Sequence, residues 1–430
     1  YTDVPGVLTT DPRLVENASL LAEITCDEML ELASLGAKVL HPRAVEIARN
    51  YGVQMVVRSS WTDDPGTRII APGVSPRPLQ NLELGRPVDG VYFDTDQAKV
   101  ALLRVEDRPG IAAYLFGELA KQRVDVDLII QSIHEGNTND IAFTVDRASL
   151  NQAEAVSTAF GPMLQKQRGM TADQSEVMVD RDIAKVSLVG AGMIGRPGIA
   201  AQMFRTLGDA GINLQMISTS EVNVSCTLAA QDCDRAITLL CQQFEVDQSP
   251  TQAMSNAIDP SWPPVRGVAL DLKQARLAIR HIPDRPGMAA HIFQTLAAAN
   301  ISVDMIIQSQ RSRSINSTMT RDIAFTVPQM DLAIAQRLLE EVSQTLGCGE
   351  VTADPDVAKV SIVGIGMLGR PGVAAQMFDA LSQQRINIQM IATSEIRVSC
   401  VVAESQGVDA LRAIHDAFRL GQTQRIEIPA

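Results

Sequence analysis

Residues 98–145, AKVALLRVEDRPGIAAYLFGELAKQRVDVDLIIQSIHEGNTNDIAFTV, decide the fold. Ala98–Val105 is an apolar run of strand length. Pro109-Gly110 then opens a segment whose apolar residues at 111, 115, 116 and 119 follow helical spacing. VDVDLIIQSI and IAFTV read as two further strands. A helical pattern near 150–160 and a last strand, SEVMV at 175–179, complete the order βαββαβ.

Working outward, the unit repeats. Asp107-Arg108-Pro109-Gly110 returns as Asp284-Arg285-Pro286-Gly287, DLIIQS (127–132) as DMIIQS (304–309), and Asp140-IAFTV as Asp322-IAFTV. A second type, AKVSLVGAGMIGRPGIAAQMF from Ala184, returns as AKVSIVGIGMLGRPGVAAQMF from Ala358, and QMISTSE (215–221) as QMIATSE (389–395). The order is A, B, A′, B′, with Arg-Pro-Gly heading a helix in every unit. Each βαββαβ unit is expected to form a four-stranded antiparallel sheet with two helices on one face, the ferredoxin-like arrangement. About 70 residues make a small core that gains by pairing with a neighbour.

The B units lack a strand after their second helices (233–244 and 407–418), and an unpartnered apolar segment precedes each A unit: Gly90-VYFD and Gly267-VALD. These segments are expected to complete the B sheets, interlocking A with B. The expected limits are a linker with the strand that completes the second unit over 71–96, unit one over 97–182 and unit two over 183–249. A second linker with its completing strand follows over 250–273, then unit three over 274–356 and unit four over 357–430. Residues 1–70 read as helix, helix, strand. CDEMLELASL lies at 26–35, a helix opened by His41-Pro42 closes near Gly52, and VQMVVRS spans 53–59. That is too little for a complete α/β core, and it looks like the C-terminal end of a larger domain.

Composition excludes several classes of function. Hydrophobic residues make up 46% and charged residues 20% of the 430, so the chain folds. Lys plus Arg is 37 against Asp plus Glu 50, a net charge of −13 without a basic run, which disfavours nucleic acid and anionic membranes. No run reaches the roughly 18 apolar residues of a membrane span, and a cytoplasmic setting is expected. The six Cys show no CxxC spacing and the five His are scattered, so neither disulfides nor a metal site is expected.

Gly190-Ala191-Gly192-Met193-Ile194-Gly195 and Gly364-Ile365-Gly366-Met367-Leu368-Gly369 are literal GxGxxG sequences. A dinucleotide fold needs the helix to start within the glycines and a crossover to a parallel strand. Here Arg-Pro-Gly intervenes and the next two strands can form only a hairpin. The glycines are read instead as a loop that lets two domains approach closely. In the A units, N–H groups at a helix start can hold a carboxylate and a neighbouring acid an ammonium. Asp107 and Asp284, with Asp127, Gln131, Asp304 and Gln308, therefore suit an amino-acid zwitterion. The competing reading makes Asp107 a helix N-cap and Gln131 a solvated strand residue. In the N-terminal segment, Thr2-Asp3, Arg13 and Lys38 have the chemistry to meet a nucleotide, or to be solvated loop residues.

Together these residues resemble aspartate kinase, of the amino-acid kinase family. TDVPGVLTTDPR (2–13), ELASLGAKVLHPRAVEIA (31–48) and RSSWTDDPGT (58–67) are similar to the ATP side of that kinase domain. The βαββαβ units are similar to ACT domains, and four in tandem resemble the cyanobacterial arrangement. The fold class implied is α/β and α+β: a C-terminal remnant of an amino-acid kinase α/β domain and four ferredoxin-like ACT domains in two interlocked pairs.

The resemblance implies ATP-dependent phosphorylation of L-aspartate to 4-phospho-L-aspartate with Mg-ATP, and feedback by lysine and/or threonine at the ACT domains. It implies a homodimer through those domains. Thr2, Asp3 and Arg13 would meet the nucleotide, and Lys38 with Val39 the phosphate side. Effector would lie against Asp107, Arg108, Pro109, Gly110, Ile111 and Ala112, with Asp127 and Gln131. The facing surface would be Ile199, Ala200, Asn213, Leu214, Ser220 and Glu221 of the adjoining B unit. The same roles pass to Asp284, Arg285, Pro286, Gly287, Met288, Ala289, Asp304 and Gln308, facing Val373, Ala374, Asn387, Ile388, Ser394 and Glu395. The family's Lys-Phe-Gly-Gly-Thr-Ser loop does not occur in the 430 residues. No catalytic residue is therefore assigned, and the chain alone is expected to be inactive: either part of an enzyme or, alternatively, a non-catalytic amino-acid-binding regulatory subunit.

Overall fold

The computed structural model describes residues 1–36, 39–71, 86–133, 138–168, 176–193, 196–250, 262–310, 312–315 and 317–421, the side chains of 132–133 and 161–168 apart. The N-terminal segment holds β1 (Glu23–Thr25), α1 (Cys26–Ser34), α2 (Pro42–Tyr51), β2 (Met55–Val57) and β3 (Thr67–Ile70). Unit one holds β4 (Gly90–Glu106), α3 (Ile111–Lys121), β5 (Ile129–Ile133), β6 (Thr138–Asp146) and α4 (Leu150–Arg168). Unit two follows with β7 (Glu176–Val189), α5 (Ile199–Asp209), β8 (Met216–Thr219), β9 (Asn223–Ala229), α6 (Cys233–Phe244) and the short β10 (Gln248–Pro250). Unit three holds β11 (Gly267–Pro283), α7 (Met288–Ala298), β12 (Asp304–Gln308), β13 (Arg313–Ile315), β14 (Thr318–Pro328) and α8 (Leu332–Leu346). Unit four closes with β15 (Val351–Val363), α9 (Val373–Gln383), β16 (Met390–Ser394), β17 (Arg397–Ala403) and α10 (Gly407–Ala417).

Local chemistry accounts for the helix ends. Thr25 and Glu28 form a reciprocal capping box on α1, with Thr25 Oγ1 accepting from Glu28 N and Glu28 Oε2 from Thr25 N. On α2, Pro42 takes the first turn and Gly52 ends the helix at φ 65°. Helices α3, α5, α7 and α9 start from Gly110, Gly198, Gly287 and Gly372, all at φ between 89° and 109°, a region where a side chain would be strained. The strand expected over 53–59 is only β2, Met55–Val57.

Strands β4 and β11 each serve two units. Gly90–Asp94 pairs with Lys185–Val189 in the sheet of unit two, and Gln97–Leu102 of the same strand pairs with β6 in unit one. Gly267–Asp271 pairs likewise with Lys359–Val363. The pairs are thus interlocked, with strand orders β5-β6-β4-β7-β9-β8 and β12-β14-β11-β15-β17-β16. Beside this, β10 adds a parallel strand against Val91–Phe93. Three residues ending in proline gave no strand signal in the sequence.

Those orders decide how the pairs meet. The shared β4–β7 ribbon lies in the middle, so the edge strands β5 and β8 fall on opposite sides and cannot pair with each other. Each finds its partner in the other pair: β5 joins β16 through Gln131–Ile391 and Ile130–Ala392, and β8 lies against β12. Helix α3 packs on α9, with Phe116 and Phe378 5.5 Å apart, and α5 on α7, with Phe204 and Phe293 5.7 Å apart. One hydrophobic core therefore joins units one and four and a second joins units two and three. Leu103, Leu128, Met216, Met305 and Met390 fill the space between the two sheet layers.

The glycine-rich loops are crossings of backbone. A Cβ at Gly190 would stand 2.4 Å from the Pro87 carbonyl oxygen, and one at Gly364 2.2 Å from that of Pro264. Ile194 and Gly195 of the first motif lie outside the described residues. The N-terminal sheet, β1-β3-β2, and α1 share a core with Ala191 and Val222 of unit two and Val363 and Ile396 of unit four.

Candidate functional site

The expected effector residues converge, but across the pairs. Arg108–Ala112 and Gln131 face Asn387 and Ile388 of unit four, and Asp284–Ala289 and Gln308 face Asn213 and Leu214 of unit two. Asp127 shares a cavity with Val373, Ala374, Ser394 and Glu395, and Asp304 one with Ile199, Ala200, Ser220 and Glu221. The facing surface assigned from sequence is therefore exchanged: Asp107 and Asp127 meet the residues assigned to Asp284 and Asp304, and the reverse. Opposed sheet edges within each pair force the exchange.

The Asp-Arg-Pro-Gly clefts are narrow, about 10 Å³ in units one and four and about 20 Å³ in units three and two, room for about one water. Asp107 Oδ1 accepts from Asn139 Nδ2 at 2.9 Å and Asn387 Nδ2 at 2.8 Å, and Gln131 Nε2 donates to the Ile388 carbonyl at 2.7 Å. No side chain caps α3, so Asp107 is not its N-cap, and Gln131 is buried rather than solvated. Asp284 accepts from Asn213 at 3.0 Å and pairs with Arg321 at 2.8 Å, so its carboxylate already holds a cation.

More room lies on the other side of each interface. The Asp127 cavity measures about 260 Å³ and also takes in Asp94, Asp125, Asp146, Lys185 and Arg370. Lys185 is 2% exposed and bridges Asp127 and Glu395, 3.4 Å from the latter. Burial would lower this ammonium, yet Asp127 and Glu395 raise it above the ordinary lysine value. Asp125 is pushed up to about 6 by burial, then by Asp127 and Asp146. Burial likewise raises Asp127 against the pull of Lys185, and five carboxyl groups line this cavity beside two cations, Lys185 and Arg370.

The Asp304 cavity, about 100 Å³, is neutralised differently. Lys359 Nζ lies 2.7 Å from Asp304, and the buried Arg397 reaches the same carboxylate at 3.0 Å. Burial alone would raise Asp304, but Arg397 and Lys359 hold it well below the usual carboxylate range. Glu221 is pushed up to about 7 by burial, then by Glu31 and Asp304. Lys185, Lys359, Arg397, Glu31 and Asp125 escaped the sequence reading. A lysine at the same place in two apolar strands, AKVSLV and AKVSIV, was the available signal, since such a position is costly unless paired.

The nucleotide residues are more scattered. Thr2 bridges to Ser59 and donates to Asp3 at 2.9 Å, while Arg13 forks onto Asp11. Val39 packs against the core under α1 and α2, and Lys38 lies outside the described residues. No helix among the described residues is long and apolar enough to cross a membrane, and no group of His, Cys, Asp or Glu among them is arranged to hold a metal.

Known proteins share this arrangement. The model of the amino acid kinase family matches residues 1–59, and ACT domain models match 99–160, 186–244, 280–342 and 360–418. The solved structure of aspartate kinase from Synechocystis is 59% identical over 100% of this chain and 72% of that chain, with a TM-score of 0.91. The chain belongs to the aspartate kinase family. Aspartokinases of Helicobacter pylori and Thermus thermophilus are 41% identical over 249 residues and 40% over 251. The chain spans 58% of the length of these curated relatives. Within the family, this chain joins four ACT units and an amino-acid kinase segment in one connected body.

Proposed function

We propose that the chain is the regulatory part, with the ATP-side end of the kinase domain, of an enzyme that phosphorylates L-aspartate to 4-phospho-L-aspartate using Mg-ATP. The likeness to Synechocystis aspartate kinase along the whole chain carries this reading. A separate regulatory subunit is disfavoured because the match to the kinase family model runs from residue 1 to 59. Phosphoryl transfer depends on positioning and charge neutralisation. Arg13 would have to exchange Asp11 for phosphate, Thr2 and Asp3 would meet the nucleotide, and Lys38 with Val39 its phosphate side. The 430 residues hold no Lys-Phe-Gly-Gly-Thr-Ser loop and are expected not to turn over alone. The protein translated from the complete reading frame should form aspartyl hydroxamate from aspartate, Mg-ATP and hydroxylamine; no product would refute the kinase reading.

Lysine and threonine are the proposed effectors, held at the interfaces of unit one with four and of unit three with two. Calorimetry on the 430-residue chain should show binding of at least one of them, and binding of neither would refute the sensor. A cytoplasmic homodimer through the ACT domains is the proposed assembly, with β5, β16, β8 and β12 already meeting each other within one chain. Light scattering of the same chain measures the assembly.

A further inference from the structure

One guanidinium ties four parts of the molecule together. Arg397 on β17 of unit four is 1% exposed. Its Nη1 donates to Glu31 Oε2 of α1 at 3.1 Å, and its Nη2 donates to the Thr219 carbonyl of unit two at 2.7 Å and to Asp304 Oδ1 of unit three at 3.0 Å. Glu31, wholly buried, returns to the same place, because its Oε1 accepts from Glu221 N at 3.1 Å. Thr219, Glu221 and Asp304 all line the cavity of about 100 Å³ between units two and three. The matching position in unit two is Asn223, whose side chain donates to Glu395 and has no bond to α1.

We infer that Arg397 and Glu31 form a positioning pair through which the cavity between units two and three acts on helix α1 of the kinase segment. The inference rests on the effector reading above. Three carboxylates, Glu31, Glu221 and Asp304, face Arg397 and Lys359, with Arg196, which also pairs with Glu46 at 3.8 Å, on the cavity wall. An ammonium ligand entering beside Glu221 and Asp304 competes with Arg397 for Asp304. Arg397 then leans on its remaining charged acceptor, Glu31, and the two states differ in how firmly α1 is held. That differential contact is what a ligand needs in order to shift an equilibrium.

The test is amide hydrogen exchange of residues 26–34 in the 430-residue chain, with and without lysine or threonine at concentrations that calorimetry shows to be saturating. Ligand should change exchange in α1 by about tenfold, within the usual range of coupling between sites. In Glu31→Gln the change should fall below about twofold, less than the weakest coupling typical of linked sites. Glu28→Gln is the control: Glu28 sits on the same helix, equally buried, but bonds Thr25 and Ile365 N rather than Arg397, and glutamine keeps the capping box, so the ligand response should remain. If Glu31→Gln fails to fold, Arg397→Lys replaces it, since a single ammonium nitrogen cannot occupy the two separate positions from which Nη1 reaches Glu31 and Nη2 reaches Asp304. Bound ligand with unchanged α1 exchange in the unaltered chain, or an undiminished response in Glu31→Gln, overturns the inference. Binding of neither amino acid would instead refute the effector reading beneath it.

Discussion

The cavity around Asp127 and the cavity around Asp304 are built from corresponding residues of repeated units, yet they settle their charge differently. Around Asp304, Lys359 and the buried Arg397 share the carboxylates, and Asp304 is held far below its usual range. Around Asp127 the only buried cation among the described residues is Lys185, faced by Asp94, Asp125, Asp127, Asp146 and Glu395, and Arg370 lines this cavity as Arg196 lines the other. One of three differences between the matching strands 223–229 and 397–403, Asn223 against Arg397, accounts for much of this. Duplication supplied two similar frames, and a single side chain gave them different appetites for a cation.

Removing the lysines should give the largest effect. Lys185→Met leaves Asp127 and Glu395 without their shared partner, at a cost of about 3 kcal/mol, the low end for breaking a buried pair. Lys359→Met leaves Arg397 still bound to Asp304 and should cost about half as much. Urea unfolding of both variants measures the difference, and equal losses would mean that Arg397 does not compensate.

Ligand charge comes next. If the Asp127 cavity is the one short of a cation, Asp127→Asn should weaken lysine binding about tenfold, roughly 1.4 kcal/mol. Asp304→Asn should change lysine binding less, because its carboxylate already holds two cations. Calorimetry separates the cases, and a larger loss in Asp304→Asn would reverse the assignment of the cation-hungry site.

Much of this frame was legible in the sequence, for identifiable reasons. The repeats, the interlocking and the glycine crossings followed from recurring motifs, a missing strand and an unpartnered apolar segment. The exchange of partners was not, because Asn213-Leu214 and Asn387-Ile388 are nearly the same words and local pattern cannot choose between copies. Strand order can, since β5 and β8 fall on opposite edges of one pair. Arg397 was hidden for another reason. An arginine in an apolar strand reads as a defect until Glu31, 366 positions away in the chain, is brought to it by folding.

A smaller difference should appear with pH. Asp125 titrates near 6 in the folded chain, above its unfolded value near 3.9, so the folded state binds the extra proton between those values. Its contribution to stability is complete below about pH 4 and is lost as pH rises through about 6. Asp304 has the opposite sign: its folded value is depressed, so its contribution is present above the unfolded value and lost in acid. Asp125→Asn should therefore flatten the fall in unfolding midpoint between about pH 4 and 6, and Asp304→Asn should leave that fall in place. An unchanged profile in Asp125→Asn would remove burial of this carboxyl as its cause.

The smallest expected effect concerns the two Asp-Arg-Pro-Gly loops. In Asp107→Asn the amide oxygen still accepts from Asn139 and Asn387, so stability should stay within about 0.5 kcal/mol, as for a substitution that leaves no group unpaired. In Asp284→Asn the partner Arg321 is 16% exposed and loses its carboxylate, and about 1–2 kcal/mol should go with it, less than for a fully buried pair. Loss of effector affinity in Asp107→Asn, measured by calorimetry, would then report a direct contact with ligand ammonium, because the fold barely changes. The same loss in Asp284→Asn would be open to a structural cause through Arg321. If lysine and threonine affinities are both unchanged in Asp107→Asn, the narrow cleft of about 10 Å³ is a packing joint between units one and four, and any ammonium site at this interface lies across it, at Asp127.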